Sequence, residues 1–234
     1  MRKRSRQAMQ LVALALVCAG GMAFTFGGWA VITVDDLPQS LTVGQPVTLA
    51  FSVRQHGMTL LDHLSPAIVV GDGVRGTRDI AVLATPSGPS GHYVASFSVP
   101  RAGNWTVTIN SGFMNSHVSL LPIPTTATAT AIATAGANAH AEAPAEFGRR
   151  LFVAKGCVTC HVHGALEGYQ TVSVGPNLTP KRYQAEYLAK LLADPSIART
   201  AGQTFTMPNL GLKTSEIAAL VAFINSDRQL STRQ

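Results

Sequence analysis

Cys157-Val158-Thr159-Cys160-His161 constrains this chain more than any other stretch. Two thiols separated by two residues, with an imidazole directly after them, must face each other or face one common object. A zinc site needs four ligands. The chain offers no second cysteine pair, and His163 crowds the same turn, leaving only the distant His140 as a further partner. A thioredoxin-like redox pair lacks the βαβ context and leaves His161 without a role. Covalent haem uses all three groups, because the thiols add to the two vinyl groups of one porphyrin and the adjacent imidazole is held against the iron. Cys157 and Cys160 are therefore read as the haem attachment and His161 as an axial ligand.

The sixth iron position needs a second ligand, and Met207 is the candidate. It precedes Pro208 in a non-helical stretch between two helical patterns, and it is the only methionine after Met114. A methionine is ordinarily core filling. Its place on a loop, where it can face His161 across a porphyrin, favours coordination here. His163 is too near in sequence and His140 lies in a linker.

The patterning before and after the motif differs. From Trp29 to Leu121, short alternating runs such as Val47–Val53, His92–Val99 and Asn104–Ile109 predict strands. Turn clusters separate them, among them Val43-Gly44-Gln45-Pro46, Gly71-Asp72-Gly73 and Pro86-Ser87-Gly88-Pro89. Trp29 and Trp105 are expected in the core of the resulting β-sandwich. Residues 122–143 are rich in Thr, Ala and Pro and poor in large apolar side chains, so they read as a linker that leaves the second domain free to move. From Pro144 the period becomes helical. Phe147, Leu151 and Phe152 share a face that ends at Gly156. Thr179-Pro180 predicts the start of a helix running through Tyr183, Tyr187, Leu188 and Leu191 to Asp194-Pro195. A Thr214 cap predicts a last helix through Ile217, Leu220, Val221 and Ile224. The fold expected is multidomain: residues 29–121 an all-β, immunoglobulin-like sandwich, and residues 144–234 an all-α haem domain.

Residues 1–28 form a targeting segment. Arg2, Lys3, Arg4 and Arg6 precede an uncharged run from Leu11 to Phe26, the order of a secretory signal or an N-terminal membrane anchor. Small residues allow cleavage after Ala23 or after Ala30, and the apolar length also allows an uncleaved span. Either outcome places the rest of the chain outside the cytoplasm. Without those four cations, fourteen Lys and Arg face twelve Asp and Glu, so the basic balance is no sign of a nucleic-acid partner.

Gly148 and Phe152, the Cys157–His161 run, Gly175-Pro176-Asn177-Leu178, Met207-Pro208 and Phe223 together resemble the class I cytochrome c family from about Pro144 to Arg228. The resemblance implies that the first and last helices cross at Gly148 and Phe223. It also implies that the Pro176 carbonyl accepts a hydrogen bond from the His161 ring, a contact that fixes the ligand and tunes the iron. More weakly, Gly91-His92-Tyr93, Val99-Pro100 and Ala102-Gly103-Asn104-Trp105 resemble the YtkA-like and FixH-like immunoglobulin-type sandwiches of exported bacterial proteins.

Electron transfer by one covalently bound haem c, between a donor and an acceptor redox protein that include a respiratory membrane complex, is the function these readings favour. The alternative is a copper-handling or assembly factor whose sandwich binds metal or a partner. His56, Met58, His63, His92, Met114 and His117 are ligand types suited to copper, without a tight spacing among them. Enzymatic turnover ranks last, because Met207 coordination fills the position a substrate would need and no other catalytic constellation is present.

Overall fold

Alternating apolar residues decide which way each strand of the first hundred residues faces. The computed structural model describes residues 28–126, 142–169, 171–179, 182–198 and 206–226. The targeting segment expected over residues 1–28 lies almost wholly outside them, as do His140 and most of the expected linker. No helix among the described residues is long and apolar enough to cross a membrane.

Strands β1 (Ala30–Val34), β3 (Val47–Gln55), β8 (His92–Phe97) and β7 (Thr85–Pro86) form one sheet in that order, with β4 (Thr59–Leu60) also paired to β3. The second sheet runs β2 (Leu41–Thr42), β11 (Ile123–Thr126), β9 (Asn104–Asn110), β5 (Ala67–Gly71) and β6 (Ile80–Leu83), with β10 (His117–Ser119) beside β9. The β2–β11 pair is parallel; the β1–β3, β3–β8 and β5–β9 pairs are antiparallel. Phe51, Tyr93, Trp105, Ile68 and Ile109 are buried and contribute to one core from both sheets, as period-two alternation requires. Burial of a side chain such as Phe51, Ile68 or Ile109 contributes about 1.5–3 kcal/mol.

The expected linker begins too early. Ile123 is fully buried, and β11 pairs with both β9 and β2, so the β region extends to Thr126. Two prolines around Ile123 suggested a linker, yet a proline costs little in a strand with few ladder bonds to make.

Four helices follow: α1 (Pro144–Ala154), α2 (Cys157–Cys160), α3 (Ala185–Ala193) and α4 (Thr214–Ile224). Gly148 lets α1 and α4 cross closely, since a Cβ there would lie 2.8 Å from the Phe223 Cβ and closer still to the Ala219 backbone. The third helix starts at Ala185 with Gln184 as its cap, not at Thr179-Pro180. Residues 182–184 are extended or irregular, and the Thr179 backbone N–H instead bonds Asn177 Oδ1 at 2.9 Å, an Asx turn that holds the chain out of helix. In the last helix Lys213 is the cap residue, and Glu216 Oε2 accepts from its backbone N–H at 2.9 Å.

The helices are seated on the sandwich. All five residues of β1 are buried, because β1 has the sandwich on one side and the helical region on the other. Thr33 Oγ1 donates to the Lys155 carbonyl at 3.4 Å. The backbone after β1 is then gripped by cations from the helical region. Lys155 Nζ donates to the Asp35 carbonyl at 2.7 Å. Lys213 pairs with Asp36. Arg150 donates to the carbonyls of Pro38 at 2.8 Å and Gln39 at 3.3 Å. Lys155 also forms a buried ion pair with Glu216 at 2.9 Å. The second domain expected to move on its tether is held against β1 by these contacts.

Candidate functional site: a haem cavity shared by two regions

Gly156 ends α1 with φ +77°, a left-handed residue that lets the chain turn at once into α2. Its missing Cβ also brings this turn against β1, where a side chain would meet the Ile32 carbonyl at 2.6 Å. The single turn of α2 puts Cys157 and Cys160 three residues apart on one helical face. Both lie on the wall of a cavity of about 370 Å³, and neither is in a disulfide. Burial, reinforced by the neighbouring Cys160, pushes the Cys157 thiol up to about 12. Burial pushes Cys160 to about 11. Both are thiols at neutral pH, the protonated form whose S–H can add across a vinyl group.

His161 lies on the same wall. Its Nδ1 is 3.0 Å from the Pro176 carbonyl oxygen, which leaves Nε2 as the nitrogen for a metal. Burial lowers the affinity of the ring for a proton, and the Pro176 carbonyl opposes that only in part, so the imidazole is kept in the neutral form that coordination needs. Gly175 lies flat against the ring. A Cβ there would come within 2.6 Å of Nδ1 and 2.9 Å of Nε2. The backbone of this segment is tied to the motif, with Gly175 N donating to the Cys160 carbonyl at 3.0 Å and Leu178 N to that of Val162 at 2.9 Å.

Met207 and Pro208 line the same cavity. The structure thus brings Cys157, Cys160, His161, Pro176 and Met207 together, although 50 residues of chain separate the first from the last. His163 goes elsewhere. It is buried with its ring 4.3 Å from that of Phe223 and 6.1 Å from that of Phe152, a core residue and no competitor for iron. Tyr183, Tyr187 and Leu191 form an apolar stripe along the cavity, while Leu188 and Leu192 point to the core.

The lining suits the haem that the motif implies. Two thiols and a fixed imidazole stand on one wall, a thioether lies elsewhere on the lining, and Val174, Tyr187, Leu191 and Leu210 supply apolar surface for a porphyrin. The residue that sequence reasoning misplaced is Trp29. Trp105 is fully buried in the sandwich core, but Trp29 lines the cavity together with Val31, His56 and Gly57. Nothing local to Trp29 signals this, since the contact depends on how β1 meets the helices.

Two of the histidines of copper-binding type are held by backbone. His92 Nδ1 lies 3.0 Å from the Ser90 carbonyl oxygen, and His117 Nδ1 lies 2.9 Å from that of Asn115. Among the described residues no group of three or more His, Cys, Asp or Glu is placed to hold a metal ion.

Residues 145–227 match the family model described as cytochrome c. No curated protein matches the chain. Among solved structures, the superoxide reductase (neelaredoxin) of Ignicoccus hospitalis is 10% identical, with 41% of this chain and 80% of that one covered and a TM-score of 0.30. The CARDB domain of a Pyrococcus furiosus protein, solved with di-metal ions, is 12% identical over 43% of this chain and 94% of that one, with a TM-score of 0.26. Likenesses this distant carry no weight for the β region. The motif, the cavity and the family match agree on the other part of the molecule: its C-terminal region is a cytochrome c domain, and its cofactor is covalently bound haem c.

Proposed function

We propose that the protein is a monohaem electron carrier that works outside the cytoplasm and passes single electrons between redox proteins. The observation that carries this reading is the meeting of Cys157, Cys160, His161 and Met207 on the lining of one apolar cavity. Haem, when bound, supplies a one-electron ferric–ferrous couple. The chain's own residues do the rest. Cys157 and Cys160 would hold the group through thioethers, each formed by adding the thiol S–H across a vinyl group with no net change in electrons. His161 is oriented by the Pro176 carbonyl, which also strengthens it as a ligand. Met207 would offer the iron a thioether, which favours the ferrous state and would leave no open site for a substrate. That closure argues for a carrier over an oxidase or peroxidase.

Val174 and Tyr187 both line the cavity and are 40% and 47% exposed. They mark the edge where a partner can approach the porphyrin. Donor and acceptor are taken to be redox proteins, a respiratory membrane complex among them, and the modest cationic excess of the domain would steer acidic surfaces. The basic and apolar order of residues 2–26 supports export, by a cleaved signal or as an anchor.

Expression with haem-attachment machinery tests the proposal. The expected product has the mass of the chain plus one haem, a weak far-red band in the oxidised spectrum that disappears in Met207→Ala, and a reversible one-electron titration. A colourless protein, or pigment released by acidified organic solvent, overturns it.

A further inference from the structure

We propose that the β3–β4 turn of the sandwich is a positioning clamp for the loop that carries Met207, which makes the β region a structural part of the haem site. The inference rests on the reading of Met207 as the sixth iron ligand and goes beyond it by naming what holds that ligand in place.

The loop needs a brace. Thr206–Lys213 form neither helix nor strand, so the ladder hydrogen bonds that would fix a ligand on a regular element are missing here. A ligand on such a segment is opposed by the conformational entropy of ordering it. The open population therefore depends on what the loop packs against.

The opposite wall is rigid. His56 and Gly57 have φ of +53° and +74°, two consecutive left-handed residues of the kind that make a tight hairpin turn between twisted strands. The turn is closed by Gly57 N to the Arg54 carbonyl at 3.3 Å and Met58 N to the Gln55 carbonyl at 2.9 Å. It is tied to the start of β1 by His56 N to the Trp29 carbonyl at 3.0 Å, and the Trp29 and His56 rings lie 5.4 Å apart. The anchoring strand β3 is paired on both sides, to β1 and to β8. The turn is thus carried by an interior strand of its sheet.

Turn and loop meet beside Met207. Thr206 Oγ1 donates to Met58 Sδ at 3.8 Å. On the other side of Met207, Pro208 Cδ lies 4.0 Å from the point where a Cβ on Gly57 would stand, so the loop passes close to the bare backbone of the turn. Trp29, Val31, His56 and Gly57 share the cavity lining with Thr206, Met207 and Pro208. The sandwich therefore touches the residue before the ligand and shares the cavity lining with the residue after it. The Met58 side chain is 47% exposed, so its contact with Thr206 is not explained as core packing of the sandwich.

The test uses the full haem-loaded chain with Met58→Ala, Thr206→Val, the double variant and Met207→Ala. Carbon monoxide binds the ferrous iron only when the sixth position is open, so its apparent affinity reports the open fraction. Met58→Ala is expected to raise that affinity about tenfold, to weaken the far-red band on mild warming and to lower the reduction potential, with the unfolding midpoint little changed. Thr206→Val should act in the same direction, and the double variant should add little, because both remove one contact. Effects that add fully, or affinities within about twofold of the parent in both single variants, overturn the clamp. If the parent shows no far-red band, or Met207→Ala leaves it intact, the ligand assignment fails, and the clamp with it. A band that depends on Met207 but ignores Met58 removes the clamp alone.

Discussion

The two regions solve the problem of a small core in opposite ways. The β region closes on its own side chains. Trp105, Phe51 and Tyr93 are all but fully buried, and the Tyr93 hydroxyl both donates to the Leu61 carbonyl at 2.7 Å and accepts from Leu64 N at 3.2 Å. The helical region has four short α-helices among its described residues, and with β1 and the β3–β4 turn it lines an apolar cavity. Its cofactor is part of its core. The lesson is that the sandwich can serve as a scaffold: it is complete without the haem, so β1 and the β3–β4 turn present a finished surface on which the haem site is assembled.

The contrast predicts that substitutions will separate into those felt by one region and those felt by the junction. The largest effect is expected at the junction. Lys155 and Glu216 are 4% and 6% exposed and pair at 2.9 Å, and Lys155 also holds the Asp35 carbonyl. Lys155→Ala leaves the Glu216 carboxylate buried without its partner, at a cost of about 3–5 kcal/mol. Denaturation followed by the far-red band of the haem and by tryptophan fluorescence should coincide in the parent and split in this variant, with the far-red band lost first. Coincident curves in Lys155→Ala would mean that the two regions do not unfold through this contact.

Tyr93→Phe should act on the sandwich alone. The change strands the Leu61 carbonyl and the Leu64 N–H, at about 1–3 kcal/mol. Tryptophan fluorescence should register the loss, while the reduction potential stays at the parent value. A shifted potential would show that the sandwich core and the haem site are coupled more tightly than the packing implies.

How much of this was legible in the sequence follows from the range of each interaction. The haem attachment needs five consecutive residues, so Cys157–His161 declares itself. The α1–α4 crossing was legible as a family resemblance at Gly148 and Phe223, and the helix ends at Gly156 and Glu216 are local signals. Strand alternation is equally local, and it marked β3, β8 and β9. Trp29 failed because an aromatic residue at the start of a strand has the same pattern whether it faces its own sheet or a neighbouring cavity. Thr179-Pro180 failed because a good cap is overridden when the chain is already tied by Asn177. Ile123 failed because one buried side chain between two prolines is too small a signal to outweigh the composition around it. The seating of the helices on β1 was invisible for a related reason: Arg150 and Lys155 reach backbone carbonyls of Asp35, Pro38 and Gln39, and carbonyls carry no sequence code.

The smallest effect belongs to the exposed pair across the same junction. Asp36 and Lys213 meet with side chains that are 77% and 63% exposed, where solvent and salt screen the attraction and many such pairs contribute nothing measurable. The Lys213 hydrogen bond holds the Asp36 carboxyl below its ordinary 3.8, and Asp36 holds the Lys213 ammonium above its ordinary 10.5. The contribution of the pair is therefore fully present between those two values. It is lost as pH falls through the lowered Asp36 value, because protonation there removes the anion that the folded state favours. It is lost at the other end as pH rises through the raised Lys213 value. Lys213→Ala should leave the unfolding midpoint nearly unchanged at pH 7 in physiological salt, with a slight loss at low ionic strength. A loss approaching that of Lys155→Ala would mean that Lys213 stabilises the junction through more than this exposed ion pair, and the contrast between a buried and an exposed clasp would no longer hold.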